Sequence, residues 1–577
     1  MTTAERSPWR QLVQTFAPVL RAYRYRMLGG LGLLGIIALL ETSLPIWLKV
    51  FIDRYVTPGR WSEGIWLLGV YGVTYVSIGC LQYVQSMWMD TTAFRVMHTL
   101  RAHTFRHMMF LPLHFFHRQP AGKLMTRVTN DVDALQEILG QGLLSIVGDT
   151  IVSGAIFVLL WWISPPLAGV LTLTATLVVV ASFLFHTHAR RAQEQIRTAL
   201  ARLNAYLQEH IGGIQVLQIF CAEADALRRM TTLNHAYARA NVDAVVHYAW
   251  YYPTIRGIEI LSSVIVLVVG GWLYYQDQLT IGTLVAFFQY VQRFYEPLAD
   301  LSDKYNILLQ ATVAGERIQE ILNETMDPTY TGETLRLPAA PDIEFSGVRY
   351  RYPGQDIWVL KDIHIRIRPG ERVLIAGPTG SGKTTLASLL LRFDDPTRGV
   401  IRINGIPLHR YGGPSVRTAV RMIFQEPFLF SDTVERNIVL DGDTACRQRL
   451  REWLDRFPQN PLLQRIRAQL SKRLHERGQN LSQSERQVIA LLRGVLSDPA
   501  IIILDEALSA TDPATERDLH EFIEAILAGR TVIRIAHRLH TIPDADRMVI
   551  LWDGRVVEDS TPEEVHTRLE RSSYRRS

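Results

Sequence analysis

Cysteine is scarce in this sequence of 577 residues, which has only Cys80, Cys221 and Cys446. Their wide spacing indicates neither a disulfide framework nor a thiolate metal site.

Charged residues make up 20% of the chain against 48% hydrophobic residues, and the formal charge of +5 is not gathered in one dense basic stripe. We therefore expect no nucleic-acid partner. The length exceeds what one core accommodates, so at least two domains are expected.

The N-terminus lacks the uninterrupted apolar core of a cleavable signal, because arginines interrupt its first 26 residues. Apolar residues recur there at helical spacing, which predicts a helix lying in the membrane interface. A soluble helix packed on the C-terminal domain is the alternative. The apolar residues are Trp9, Leu12, Phe16, Val19, Leu20 and Tyr23.

Long apolar runs dominate the first 322 residues, and about 20 apolar residues are needed to cross a bilayer. The runs predict an all-α transmembrane domain over residues 1–322 with six helices. The predicted spans are 27–52, 63–88, 138–163, 165–186, 247–275 and 279–300.

Basic residues fall in the two long connections between these spans, whereas the short turns after the third and fifth spans carry none. The positive-inside rule therefore predicts a multi-pass protein of the cell (inner) membrane, with its N-terminus and C-terminal domain in the cytosol. The long connections are poor in Pro and Gly and predict helices extending well below the bilayer. The basic residues are Arg95, Arg101, Arg106, Arg118, Lys123, Arg127, Arg190, Arg191, Arg197, Arg202, Arg228, Arg229 and Arg239.

Two stretches within those connections are candidates for docking to the cytosolic domain. Residues 116–133 break their helix at Pro120 to Gly122, and residues 204–220 break theirs near Gly212 and Gly213. A plain helix-turn-helix linker is the alternative for each.

Glu41 and Glu259 lie within predicted spans, where ionisable groups are costly and so mark candidate functional sites. Both are candidates to line a water-filled cavity. The alternative is a bundle interface where each pairs with a neighbour such as Arg256.

After a linker at 323–341, residues 342–577 alternate short strands and glycine-rich turns, which indicates an α/β domain. A strand over 373–376 leads into the pattern G-x-x-x-x-G-K-[ST] and then a helix, the context of a phosphate-binding loop. Backbone N–H groups there converge on phosphate oxygens, Lys383 reaches the outer phosphates, and Thr384 ligates Mg²⁺. The predicted phosphate-binding residues are Gly377, Pro378, Thr379, Gly380, Ser381, Gly382, Lys383, Thr384 and Thr385.

Residues 501–506 supply an apolar strand that ends in two carboxylates. Asp505 is predicted to hold Mg²⁺ through water. Glu506 is placed to orient or deprotonate the attacking water.

The order and spacing of further motifs resemble the ATP-binding cassette family, specifically its type IV, exporter-type half-transporters, across the whole C-terminal domain. The resemblance implies a RecA-like core with a helical subdomain. It also implies that Gln425 joins Mg²⁺ and water to the docking helices, that His537 contacts the γ-phosphate, that Ser509 to Asp512 lie between two cassettes, and that Tyr352 stacks on adenine.

The signature motif departs from that family, which usually has LSGGQ where this sequence has LSQSE. In the family this segment closes over ATP bound to a second cassette. Ser482 is kept and is expected to face the partner's ATP, but Gln483 and Ser484 replace glycines. Glu485 introduces a carboxylate, which disfavours a nearby γ-phosphate.

The resemblance therefore implies one half of a heterodimeric exporter in which a different chain supplies a regular signature. The expected ligands are ATP, Mg²⁺, membrane lipid and a hydrophobic or amphipathic drug, lipid or peptide. A homodimer, an importer on the same fold and a nucleotide-gated channel or regulator remain alternatives.

Overall fold

The computed structural model describes residues 8–299, 301–334, 336–338, 340–440, 442–505, 522–536 and 545–564. The chain divides into two compact units. The first comprises Met1–Met108 and Gly122–Glu324, and the second comprises Met109–Ala121 and Thr325–Ser577.

The first unit consists mainly of long helices. One short helix, α3 (Leu113–Arg118), belongs to the second unit. Five-residue π-helical turns at Ile52–Val56 and Ile138–Gly142 interrupt the pattern. The helices are α1 (Pro8–Phe51), α2 (Ile65–Met109), α3 (Leu113–Arg118), α4 (Ala121–Val128), α5 (Asn130–Glu137), α6 (Leu143–Ile163), α7 (Pro165–Gly212), α8 (Ile214–Ile219), α9 (Glu223–Tyr275), α10 (Ile281–Ala299) and α11 (Leu301–Asn323).

Five helical stretches in the described part of the chain are long and apolar enough to cross a membrane. The sixth predicted span is also a helix, α10, but Arg293, Glu296 and Pro297 lower its apolar character, and it is not among the five. The five stretches are Arg21–Val56, Ile65–Met109, Ala121–Ile163, Pro165–Phe185 and Glu223–Tyr275.

The predicted helical extensions are confirmed by three very long helices. α2, α7 and α9 contain 45, 48 and 53 residues, which corresponds to about 70–80 Å at 1.5 Å per residue. A bilayer core is about 30 Å thick, so these helices continue well beyond it.

No break separates the N-terminal amphipathic segment from the first span, because Pro8–Phe51 is one helix. The sequence alone suggested an interfacial helix distinct from the span. Its location in the membrane interface stays a prediction.

α10 packs into the centre of the first unit despite its polar residues. The side chains of Phe287, Tyr290 and Tyr295 are at most 1% exposed. The Tyr295 hydroxyl donates to Thr174 Oγ1 at 2.6 Å, and Thr174 donates to Ser262 Oγ at 3.1 Å. This buried chain of hydroxyls joins α10 to α7 and α9, because each polar group finds a partner away from lipid.

The helical breaks near both predicted docking stretches are present, with one shift in position. α3, Leu113–Arg118, begins before residue 116 and belongs to the second unit, whereas the predicted stretch from Gly122 onward belongs to the first. Docking by either stretch stays a prediction. In the second stretch α7 ends at Gly212 and α8 covers Ile214–Ile219, as the two glycines indicate.

Two sheets form the second unit. The strands are β1 (Ile343–Tyr350), β2 (Leu360–Ile367), β3 (Arg372–Ala376), β4 (Arg398–Ile403), β5 (Ile406–Pro407), β6 (Val420–Ile423), β7 (Ile501–Asp505), β8 (Thr531–Ala536), β9 (Arg547–Trp552) and β10 (Arg555–Ser560). The four-stranded sheet has the order β2-β1-β4-β5, and the six-stranded sheet has the order β10-β9-β3-β8-β7-β6.

Two hydrophobic cores stabilise the second unit. One lies between the two sheets and the helix that follows β3, and the other joins β6 and β7 to a group of helices later in the chain. The helices are α12 (Lys383–Leu390), α13 (Gly413–Ala419), α14 (Val434–Ile438), α15 (Thr444–Arg456), α16 (Pro461–Ala468) and α17 (Gln483–Val495). The predicted α/β domain with a helical subdomain is confirmed.

Candidate nucleotide-binding site and membrane cavity

The carboxyl ends of parallel strands gather the predicted site residues at one edge of the six-stranded sheet. β3, β8, β7 and β6 run parallel and are neighbours in that order. β3 leads into the phosphate loop, β7 ends at Asp505, and Gln425 follows β6 by two residues. Ligands of open α/β sheets bind beyond the carboxyl ends of the strands, so a nucleotide is expected here.

The phosphate loop requires glycine at two positions, because a side chain there would collide with neighbouring atoms. Gly377 and Gly382 have φ of +155° and +101°. A Cβ on Gly377 would lie 2.2 Å from the Leu551 carbonyl oxygen, and one on Gly382 would lie 2.6 Å from Leu360 Cδ2. Only glycine combines this backbone with such close approach.

The interior of the loop fits an anion. Lys383 is 3% exposed, and its ammonium donates to the carbonyl oxygens of Gly377 and Pro378, both at 2.8 Å. The Ser381 hydroxyl is buried and has no hydrogen-bond partner among the described atoms. A buried hydroxyl without a partner is costly, and a phosphate oxygen would accept from it and from the ammonium.

Tyr352 lies beside the first turn of α12. Its hydroxyl is 3.1 Å from Thr385 Oγ1, and its ring meets the Tyr350 ring edge to face at 5.1 Å between centroids. These contacts place an aromatic ring next to the phosphate loop, where the adenine-stacking residue is expected. Its contact with adenine stays a prediction.

The predicted Mg²⁺ ligands fit the requirement of a hard cation for oxygen. Thr384 is exposed in the first turn of α12, and Asp505 and Gln425 sit at the same sheet edge. In the part of the chain that the structure describes, no three His, Cys, Asp or Glu side chains cluster in a way that would hold a metal. Mg²⁺ here would therefore depend on the nucleotide's phosphates and water for its remaining ligands.

Several predicted residues lie outside the described part of the chain. They are Glu506, which follows β7 directly in sequence, the segment Ser509 to Asp512, and His537, which follows β8. Their catalytic and nucleotide-binding roles stay predictions.

The signature segment caps its own helix. The Ser482 hydroxyl accepts from the Glu485 N–H at 3.2 Å, and Glu485 Oε2 accepts from the Ser482 N–H at 2.9 Å, which together form a capping box on α17. Glu485 Oε1 accepts from Gln469 Nε2 at 3.3 Å, and the Glu485 residue is only 9% exposed. The carboxylate therefore turns inward to the helix N-terminus, while Ser482 and Gln483 stay exposed.

One cluster in the second unit was missed by sequence reasoning. His114 of α3 approaches Asp394 at 3.6 Å, and Asp394 accepts from the Tyr350 hydroxyl at 2.8 Å. Burial raises the pKa of Asp394, against the lowering effect of the Tyr350 and His114 contacts. Burial, together with the Asp394 charge, raises the pKa of Tyr350. The cluster ties α3 to β1 two residues before Tyr352, and no local sequence pattern links its members.

The first unit contains a cavity of about 920 Å³ whose lining includes Arg256, Glu259, Arg293 and Glu296. Glu259 therefore lines a cavity and also pairs with Arg256, whose Nη1 lies 2.7 Å from Glu259 Oε2. The two alternatives expected for Glu259, cavity lining and pairing with Arg256, are therefore both present. Glu41 is not among the residues lining this cavity and accepts from Gln82 Nε2 at 2.9 Å.

Family comparisons agree with this two-unit architecture. The family model for the ABC transporter transmembrane region matches residues 29–298. The family model for the ABC transporter matches residues 360–509. The latter range holds the phosphate loop, Gln425 and Asp505.

Relatives match along most of the chain. The uncharacterized ABC transporter ATP-binding protein YknV of Bacillus subtilis is 30% identical over 90% of this chain and 87% of its own length. The ATP-dependent lipid A-core flippase of Burkholderia orbicola is 29% identical over 92% of this chain and 90% of its own. A bacterial Atm1-family ABC exporter with ATP bound has a similar fold, with a TM-score of 0.77, 24% identity and coverage of 95% of this chain and 96% of that one.

The chain belongs to the ABC transporter family. It is an integral membrane protein with a cytosolic nucleotide-binding domain that binds ATP and couples its hydrolysis to transport.

Proposed function

We propose that this chain is one half of an ATP-driven exporter of hydrophobic or amphipathic compounds. Residues 1–322 form the transmembrane domain, 323–341 the linker and 342–577 the nucleotide-binding domain. ATP closes two cassettes, the docking helices transmit that movement, and the membrane helices pass from inward-facing to outward-facing. Hydrolysis resets the cycle, so ATP and its products favour different global states.

At this chain's own ATP site, the sheet edge and the resemblance to the family support the following roles. Lys383 and the loop N–H groups hold the phosphates, and Tyr352 stacks on adenine. Thr384, Gln425 and Asp505 hold Mg²⁺, whose bound charge stabilises the phosphates. Glu506 takes the proton of the attacking water, and His537 contacts the γ-phosphate.

The self-capped signature is the observation that carries the proposal of a dissimilar partner. The Glu485 carboxylate already occupies the positive end of α17 and adds a full negative charge to it. A γ-phosphate approaching Ser482 would meet like charge and a Ser482 N–H already in use. Hydrolysis of the ATP that faces this signature is therefore slow.

This chain's own ATP site needs a regular signature from elsewhere in the transporter. We propose that the partner carries an LSGGQ-like segment and that the heterodimer has one catalytic and one degenerate ATP site. A homodimer that tolerates the altered signature is the alternative.

The substrate class rests on the relatives and on the membrane unit. A relative named a lipid A-core flippase acts on an amphipathic lipid, and the cavity near α10 is large enough for a molecule of drug size. The export direction rests on the resemblance to exporters.

Sealed inside-out vesicles containing the chain and its partner test the proposal. We expect uptake of an amphipathic fluorescent substrate against its gradient only with Mg-ATP. Glu506→Gln should abolish uptake while ATP binding persists. Downhill flux without ATP turnover would establish a channel instead, and ATP-driven loss of substrate from preloaded inside-out vesicles would establish an importer.

A further inference from the structure

Two tyrosines at the end of β1 contact each other beside the phosphate loop. Tyr350 is the last residue of β1 and Tyr352 follows it by two positions, which places both side chains on the same face. Their rings meet edge to face, with 5.1 Å between centroids and 82° between planes. The Tyr352 hydroxyl lies 3.1 Å from Thr385 Oγ1 in the first turn of α12. The Tyr352 ring is therefore held by contacts with Tyr350 and with α12.

Tyr350 is held in turn by Asp394. Its side chain is 3% exposed, and its hydroxyl donates to Asp394 Oδ2 at 2.8 Å. The Asp394 side chain is 23% exposed, and His114 Nδ1 of α3 approaches its Oδ1 at 3.6 Å. In the described part of the chain no arginine or lysine pairs with Asp394, and Asp327 nearby has the same charge. The hydrogen bond from Tyr350 is thus a principal contact of this half-buried carboxylate.

These side chains line one small pocket. Its volume is about 20 Å³, which is room for about one water molecule. The Tyr352 ring therefore has little space to turn on this side, and a change in Tyr350 or Asp394 is passed to it directly. The polar residues that line the pocket include His114, Tyr350, Tyr352, Thr385 and Asp394.

We propose that Tyr350 and Asp394 are positioning residues for the adenine base, because they hold the Tyr352 ring in the orientation that stacks on it. The inference rests on the proposed role of Tyr352 at the ATP site and deepens it. Aromatic contacts depend on ring orientation, and a ring that is already ordered loses less freedom when the base binds. The contribution is confined to the base, since the phosphates contact the loop around Lys383.

A purely structural role for Asp394 predicts a different result. A buried tyrosine hydroxyl needs a hydrogen-bond partner, and Asp394 supplies one whether or not a nucleotide binds. Loss of that partner would then lower stability and weaken every ligand of the loop alike. A ligand with phosphates and no base separates the two roles.

The test measures, by calorimetry, binding of two magnesium complexes to the full-length protein in nanodiscs. One is the non-hydrolysable ATP analogue AMP-PNP, and the other is inorganic tripolyphosphate. Tyr350→Phe and Asp394→Ala should each weaken AMP-PNP binding about 5-fold and leave tripolyphosphate binding unchanged. Asp394→Asn keeps an acceptor oxygen and should restore most of the affinity. Tyr411→Phe, the same chemical change at another buried tyrosine of this core, should have no effect.

A double variant tests whether the two residues act together. Tyr350→Phe and Asp394→Ala combined should weaken AMP-PNP binding no more than either change alone, because both remove the same hydrogen bond. Wild-type AMP-PNP binding in both single variants, or equal weakening of AMP-PNP and tripolyphosphate, would overturn the proposal.

Tyr352→Ala separates this inference from the role on which it rests. It should weaken AMP-PNP binding and spare tripolyphosphate. If it does so while the Tyr350 and Asp394 variants bind like wild type, the positioning role is overturned and the stacking role of Tyr352 stands. Unchanged AMP-PNP binding by Tyr352→Ala would remove the stacking role and the inference with it.

Discussion

The phosphate loop and the signature segment are both turns at the N-terminus of a helix, yet they treat that terminus in opposite ways. The phosphate loop uses glycines, leaves Ser381 without a partner and buries Lys383 inside. The signature segment has no glycine, and Glu485 fills its helix terminus. The phosphate loop suits an anion that binds from solution. In the signature segment the Glu485 carboxylate is itself the anion at the helix terminus.

The difference teaches that a helix N-terminus binds phosphate only while its donors are available. The Ser482 N–H donates to Glu485 and the Ser482 hydroxyl accepts from it, so the proposed loss of the signature's role rests on the occupied N–H and on the Glu485 charge. The predictions below test each side of this comparison.

The largest effect is expected at the phosphate loop. Lys383→Met should reduce ATP hydrolysis by the complex about 10²- to 10³-fold, because a preorganised charge on the phosphates is lost. Steady-state phosphate release measures this. Lys361→Met, which removes an ion pair with Asp553 in the same domain, should leave hydrolysis near wild type. Equal losses in both variants would contradict the role of Lys383.

Restoring the signature should have the next largest effect. Gln483→Gly, Ser484→Gly and Glu485→Gln together should raise hydrolysis at the facing ATP site by about 10-fold or more, because the carboxylate charge at the helix terminus is removed and two glycines allow a close backbone approach to the phosphate. Trapping of ADP with vanadate should then label both sites of the dimer rather than one. Glu476→Gln, a matched change at an exposed position upstream, is the control.

Arg372, the first residue of β3, belongs to an ion-pair cluster that makes the stability of the protein depend on pH. Burial alone would raise the pKa of Glu524, but hydrogen bonds and charges from Arg372 and Arg534 lower that pKa below its ordinary value of 4.5. The stabilisation is thus complete above about pH 4.5 and is lost as the pH falls through the lowered pKa.

Glu524→Gln should therefore cost about 1–2 kcal/mol of unfolding free energy at pH 7. The difference in melting temperature from wild type should shrink as the pH falls below 4.5. Glu476→Gln should show no comparable cost. A difference that grows in acid would contradict the assigned ion pairs.

The smallest effect is expected at the cap itself. Ser482→Ala should destabilise the protein by about 1 kcal/mol through loss of the capping bond. Ser484→Ala, two positions into the same turn, should stay within about 0.5 kcal/mol of wild type in a thermal unfolding measurement. Equal effects would show that the capping box contributes nothing.

Local patterns predicted much of the fold and the candidate site. The strand, glycine spacing and helix around Lys383 specify their own geometry, so β3 and α12 appear where the sequence placed them. Long apolar runs likewise predicted the membrane helices. α10 was recognisable as a helix, but the burial of Tyr290 and Tyr295 depends on packing that no local pattern shows.

Long-range contacts could not be predicted in the same way. The meeting of His114 with Asp394 depends on the path of the whole chain. The inward direction of Glu485 depends on its rotamer and on Gln469, 16 residues earlier. The sequence indicated a carboxylate near the γ-phosphate, whereas the structure shows it bonded to its own helix terminus.

ATP turnover by the purified chain without a partner tests the central claim most directly. If the self-capped signature disables the facing site, the isolated chain hydrolyses ATP slowly, and addition of the partner raises the rate by orders of magnitude. Rapid turnover at two equivalent sites by the chain alone, unchanged when Glu485 becomes Gln, would contradict the account.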